Sequence, residues 1–232
     1  MEAVSEPKVR RYFDGEAERF DAIYAQEKNL GQKMIDQLFR RVILQRFRLT
    51  LDLCGPLNGK RVLDIGCGSG RYGIEMAQRG ATVVGLDFAP AMVQMARRAA
   101  EAAGVEHLCS FYDGDFLSWE APHSFDICLG IGFFDYIAEP DVFLRKIRSL
   151  TIEKAVFSFP VRWTIRTLTR RVRLSINQCP VYFYDSDQVH RLMQASDWEM
   201  ESIDLHRLSR DYLVDAKVKR PQISKATSKT RR

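Results

Sequence analysis

What this chain of 232 residues lacks is informative first. No apolar run approaches the roughly 18 residues a membrane span needs, and Met1–Arg10 has no hydrophobic core of the kind a secretory leader carries. A soluble, cytoplasmic protein is the expectation. Cysteine is scarce: Cys54, Cys67, Cys109, Cys128 and Cys179 are odd in number, widely spaced and never in a C-x-x-C pair, which speaks against a disulfide framework and against a zinc site. They read as buried thiols, and no metal is expected. A basic stripe is missing as well. The net charge is +5, but residues 215–232 hold seven basic residues against one acid, which leaves 28 basic and 29 acidic residues elsewhere. The body is essentially neutral, so no DNA partner is expected. Residues 216–232 are rich in Lys, Ser, Thr and Arg with few apolar side chains; they cannot repay their ordering entropy and are expected to be a disordered basic tail.

What is present is concentrated between residues 61 and 87. The run Arg61-Val-Leu-Asp-Ile reads as a buried parallel strand, three glycines at Gly66, Gly68 and Gly70 force a tight turn, and Arg71-Tyr-Gly-Ile-Glu-Met-Ala77 begins a helix. Glycine is needed because a side chain at the turn would hold a ligand away from the backbone amides of the helix N-terminus. Val84-Gly-Leu-Asp87 closes a second strand, and its carboxylate lies where an acid can accept from both hydroxyls of a ribose. Together these define a nucleoside site.

Dinucleotide folds prefer G-x-G-x-x-G. Here the glycines alternate and Asp64 stands two residues before the first, where it would repel phosphate. A nucleoside with a cationic amino-acid portion suits that carboxylate instead, and S-adenosylmethionine has this charge pattern. Val62 to Gly70 resembles the first motif of class I S-adenosylmethionine-dependent methyltransferases of the small-molecule type, and the likeness extends over roughly residues 60 to 160. The resemblance implies an α/β fold: a Rossmann-like seven-stranded, mostly parallel sheet with helices on both faces, an antiparallel last strand and an N-terminal helical cover. It also implies that Asp64, Gly66, Cys67, Gly68 and Gly70 lie under the methionine part and that Asp87, with Phe88, holds the ribose. Asp115 then accepts from the adenine amino group while Phe116 packs on the ring, and Ile131 borders the cofactor. Phe133, Phe134, Asp135 and Tyr136 face the methyl acceptor, with Tyr136 and Asp135 the candidate catalytic pair.

Flanking segments complete a single domain over residues 1–215. Residues 1–55 carry two amphipathic helices, the second with Ile35, Leu38, Phe39, Val42, Leu49 and Leu53 on one face. Tyr12 and Tyr24 belong to the aromatic pattern that resembles the family's cover over the cofactor. A strand is predicted at about His107–Tyr112, another at Phe125–Leu129, a helix over Asp141–Leu150 and a strand over Lys154–Phe159. The resemblance implies that residues 161–183 form the variable acceptor cap. Within it Arg162, Arg166, Arg170 and Arg173 share a helical face, readable as a solvated face, as a carboxylate or phosphate grip on the acceptor, or, less favoured, as a contact between the 161–177 helix and an anionic membrane surface. A helix over Asp185–Ser196 and an antiparallel pair, Trp198–Leu205 and Asp211–Lys217, close the sheet. His107 and His206 read as structural, His123 lies in the loop before the fourth strand, on the side the family keeps away from the pocket, and His190 on the helix after the cap; none is assigned a catalytic role. No Asn/Asp-Pro-Pro-Tyr/Phe motif follows the fourth strand, which disfavours amino methylation of DNA bases. The expected activity is methylation of an oxygen or nitrogen of a small organic metabolite. A non-catalytic adenosylmethionine-binding subunit and an NAD-dependent oxidoreductase are the alternatives, the second opposed by Asp64 and the glycine spacing.

Overall fold

The computed structural model describes residues 44–161, 181–205 and 211–219. A helix over residues 44–54 (α1) precedes β1 (Arg61–Ile65), α2 (Arg71–Gln78), β2 (Thr82–Asp87), α3 (Pro90–Ala102) and β3 (Cys109–Asp113). Then follow β4 (Phe125–Gly130), a 3-10 turn at Phe134–Tyr136, α4 (Pro140–Leu150), β5 (Thr151–Pro160), α5 (Ser186–Ala195), β6 (Trp198–Leu205) and β7 (Asp211–Val218). The strands form one sheet in the order β3-β2-β1-β4-β5-β7-β6, with β7 antiparallel to both of its neighbours and the other pairings parallel.

Side chains of β1 alternate between two cores because successive residues of a strand point to opposite faces. Val62 joins Leu51, Cys54, Met76, Val93 and Ala96 beneath α1, α2 and α3, whereas Leu63 and Ile65 join Phe143, Leu144, Ile147, Val189 and Met193 under α4 and α5. Each such Leu, Ile or Phe contributes about 1.5–3 kcal/mol by leaving water. The helices start where their sequences direct. Pro90 and Pro140 occupy first turns, where no amide donor is needed, and Asp185 forms a reciprocal capping box with Gln188 at the head of α5.

Two expectations are corrected, at the start of the third strand and at the tail boundary. The third strand begins at Cys109, because Leu108 N–H closes a 3-10 turn on the Val105 carbonyl and His107 lies within it. In α1, Leu49 and Leu53 of the predicted apolar face pack partly buried against the core, and Thr50, Leu51 and Cys54 beside them are buried deeper. The tail boundary also moves. β7 runs through Val218, three residues into the stretch expected to be disordered, because Ala216 is fully buried and Lys217 pairs with Lys154 across the ladder. The predicted strand at Lys154–Phe159 extends to ten residues, Thr151–Pro160. Among the described residues no helix is long and apolar enough to cross a membrane.

Candidate active site

The strand order reverses beside β1, which has β2 on one side and β4 on the other, and in open parallel sheets a ligand crevice forms beyond the carboxyl ends at such a point. The bend leaving β1 folds across β2. Gly66 and Cys67 donate their amides to the Leu86 carbonyl at 2.8 and 3.1 Å, and Gly68 donates to Asp87 Oδ2 at 2.8 Å. Asp87 Oδ1 accepts from Ala89 N–H at 3.0 Å, so the carboxylate is aimed by the two loops it joins. Gly70 leads into α2 with φ +76°, a conformation that costs an L side chain roughly 1–2 kcal/mol. It is also crowded: a Cβ there would lie 2.9 Å from Ala96 Cβ and 3.1 Å from Phe111 Cζ. The same Phe111 ring would meet a Cβ at Gly85 at 2.5 Å. Glycines 70 and 85 thus admit an aromatic floor, from β3, beneath the bend.

Asp64 points to the α2 side of β1, like Val62, and is 2% exposed. It accepts from the Gly73 amide, while its Oδ2 has no hydrogen-bond partner. Burial raises its pKa from 3.8 to about 7, the Asp87 charge adds to the rise, and the Gly73 bond opposes it. On the same side stands a residue the sequence reading passed over. Arg46 of α1 pairs with Asp211 Oδ2 at 2.8 Å and hydrogen-bonds with Tyr72, which is also hydrogen-bonded to Thr50. Desolvation is the largest influence on Arg46 and lowers its pKa, but Tyr72, Asp211 and Asp135 together hold it above its usual value. Its Nε is buried without a partner. The helical periodicity of α1 gave Arg46 no mark of its own; an arginine beside a buried face was the only signal.

Beyond β4, Ile131 is buried and Gly132 N–H donates to Ser158 Oγ at 2.7 Å, which fixes the loop against β5. Phe133 lies over Gly66, where a Cβ would come within 2.9 Å of its Cδ2. Phe134 corrects an expectation. It is 0% exposed and stacks on Phe159 at 4.7 Å between centroids, so it presents no surface to an acceptor. Its burial follows from the 3-10 turn, which sends one of two adjacent aromatics into the core. Asp135 is buried, its charge acts on Arg46, and its carbonyl accepts from Tyr182 N–H at 2.8 Å. Tyr136 is half-buried.

On the β2–β3 side, Phe88 is half-buried against Met92, and Phe116 is buried beside Phe143. Asp115 accepts from Leu117 and Ser118 amides at 3.0 and 3.1 Å and so also caps the turn that follows it. Tyr12, Tyr24, Arg162, Arg166 and the rest of the 161–177 helix beyond Val161 lie outside the described residues, as do Cys179 and His206. Burial holds the four described thiols in their protonated form. Desolvation pushes Cys54 and Cys128 up to about 12 and Cys109 to about 11, and Cys67 rises well above its usual value.

Comparison with known proteins identifies the family and the fold. A family model described as a methyltransferase domain matches residues 57–198, more than half of the chain. A ubiquinone biosynthesis O-methyltransferase of Azorhizobium caulinodans is 29% identical over 167 residues, covering 68% of this chain and 63% of that protein. A second one, from Ruegeria pomeroyi, is 36% identical over 110 residues, 47% of this chain and 44% of that protein. The chain thus spans less than two thirds of the length of these relatives. The structure of a magnesium protoporphyrin IX methyltransferase from Synechocystis with bound S-adenosylhomocysteine superposes with a TM-score of 0.72 at 21% identity, covering 91% of this chain and 98% of that one; at this identity it speaks for the fold. On the family match, the chain belongs to the S-adenosylmethionine-dependent methyltransferase-domain family.

Proposed function

We propose that the chain transfers a methyl group from S-adenosylmethionine to an oxygen or nitrogen of a small organic acceptor. The observation that supports this most is a pair of unmatched buried atoms beside the glycine bend. Asp64 Oδ2 lacks a donor, Arg46 Nε lacks an acceptor, and Tyr72 lies within electrostatic reach of both. An amino-acid end, with one ammonium and one carboxylate, matches them; a pyrophosphate is repelled by Asp64. On this reading Asp64 holds the ammonium, Arg46 the carboxylate, Asp87 the ribose hydroxyls and Asp115 the adenine amino group. Gly66, Cys67, Gly68 and Gly70 bring the backbone close, and Phe88, Phe116 and Ile131 are apolar walls. Bound there, the cofactor supplies an electrophilic methyl group on a cationic sulfur.

The residues around that position exclude water and orient the acceptor, and orientation contributes on the order of 7–11 kcal/mol to such a displacement. Phe133 closes over Gly66. Asp135 and Tyr136 are assigned to take the proton that a hydroxyl or amine acceptor loses. Tyr12, Tyr24, Arg162 and Arg166 are assigned to the acceptor side, with no DNA partner and a cytoplasmic location. The names of the ubiquinone-biosynthesis relatives support oxygen ahead of nitrogen. Calorimetry tests the reading: the purified chain is expected to bind S-adenosylmethionine and S-adenosylhomocysteine and to ignore NADH. Absence of binding by S-adenosylhomocysteine, or a preference for NADH, would sink it. Mass spectrometry of a cell extract incubated with the enzyme and cofactor is expected to show a metabolite heavier by one methylene.

A further inference from the structure

We infer that Lys146 of α4 is a positioning residue for the adenine end of the cofactor site. It never touches the nucleoside; it holds the turn that does. The inference rests on the reading of Asp115 and Phe116 given above, which no comparison assigns.

The turn from Asp115 to Trp119 is fastened at its start by its own first residue. Leu117 and Ser118 amides donate to the two Asp115 carboxylate oxygens, and Trp119 N–H donates to the Asp115 carbonyl at 3.0 Å. A single helical turn leaves its last carbonyls without internal donors, and such groups need an outside partner when they are turned away from water. Lys146 is that partner. Its Nζ donates to the Leu117 carbonyl at 2.8 Å and to the Trp119 carbonyl at 2.6 Å. It also stands 5.1 Å from the centroid of the Phe116 ring, near enough for a cation–π attraction. Phe143, three residues earlier and so on the same face of α4, stacks on Phe116 at 6.0 Å with an interplanar angle of 21°. One helix face therefore grips both the backbone and the aromatic ring of the turn. Desolvation lowers the Lys146 pKa, while the charges of Asp115 and Glu120 raise it, so the ammonium sits in a partly dry, acid-lined setting. With both ends of the turn tied, the Asp115 carboxylate is presented in one orientation, and its spare lone pairs point one way.

Adenine selectivity follows. A 6-amino group donates to a fixed carboxylate, whereas the 6-oxo group of hypoxanthine opposes it, and a site built to hydrogen-bond a donor rejects the analogue without one. The test compares S-adenosylhomocysteine with S-inosylhomocysteine by calorimetry on wild type, Lys146→Met and Lys146→Arg, with thermal melts recorded in parallel. Wild type is expected to prefer the adenine compound by about tenfold or more, the Met variant to lose most of that preference through weaker adenine binding, and the Arg variant, which keeps donors for both carbonyls, to regain it. Amide exchange at Leu117 to Trp119 is expected to quicken in the Met variant while exchange in β1 does not, which a general loss of stability would not produce. Should the Met variant unfold, the Arg variant carries the test alone, and loss of selectivity there contradicts the role. Unchanged selectivity in a folded Met variant, or equal losses for both nucleosides, overturns the role of Lys146 and leaves the site intact. Failure of the wild type to bind either compound overturns the site reading and this inference with it.

Discussion

Asp64 offers the sharpest test, because the same carboxylate is costly to the empty protein and, on the assignment proposed above, useful to the loaded one. In the unfolded chain it titrates near 3.8, and in the folded protein at about 7, so between these values the folded state holds a proton that the unfolded state has released. Stability therefore falls as pH rises through that window, by about 1.4 kcal/mol per pH unit and about 4 kcal/mol in all, and stays at the lower level above it. Desolvation is the chief cause and Asp87 the second, and an ammonium arriving at Oδ2 offsets both. Binding of S-adenosylhomocysteine is accordingly expected to release about one proton at pH 6 and about half of one at pH 7, with affinity rising up to tenfold per unit from pH 5 to 7 and then levelling. Titration calorimetry in two buffers of different ionisation enthalpy measures this directly. Asp64→Asn removes the charge at nearly constant volume. It is expected to stabilise the ligand-free protein at pH 8 by about 2–4 kcal/mol, a rise of up to about 10 °C in melting temperature, with little gain at pH 4. Binding is expected to weaken by about 10- to 100-fold and to lose its pH slope. A wild-type affinity that is flat from pH 5 to 8, together with an Asn variant that binds as tightly, would refute the assignment of Asp64 to the cofactor's ammonium.

Two further substitutions probe the frame on which the site rests. Gly70→Ala puts a Cβ at φ +76° and against Ala96 and Phe111, and is expected to cost about 2–4 kcal/mol in a denaturant titration; a change below half a kilocalorie would show that the bend relaxes without the Phe111 floor. Lys154 lies 2.9 Å from both Asp215 oxygens and donates to the Leu53 carbonyl at 2.6 Å, joining α1 to β5 and β7. Lys154→Met leaves that carboxylate buried without its cation and is expected to destabilise by about 3–5 kcal/mol, and a double variant with Asp215→Asn to recover part of the loss.

The glycine bend and its flanking strands were legible because their demands are local. A buried strand needs a run such as Val62-Leu63-Asp64-Ile65 and a tight bend needs alternating glycines, so the positions of Asp64, Gly66, Gly68, Gly70 and Asp87 in the fold could be read from the sequence, while their roles came from the family resemblance. The acceptor side was less legible. Phe133 and Phe134 are chemically alike neighbours, and only the 3-10 turn sorts one over Gly66 and the other into the core. Likewise the last strand reached into a basic stretch because Leu213 to Ala216 are buried in the sheet and Val218 packs partly buried against the same core, which outweighs composition.

By itself the sequence determined the order of strands and helices, the glycine bend and the charge of the nucleoside it suits, since these depend on residues close along the chain and on periodicity. Only the tertiary structure brought Arg46 to Tyr72, Asp135 and Asp211, set Phe111 beneath Gly70 and Gly85, and tied Lys146 to the turn at Asp115. Those contacts join segments tens of residues apart, and their partners are selected by the packing of helices onto a common sheet, which no pattern local to either segment records.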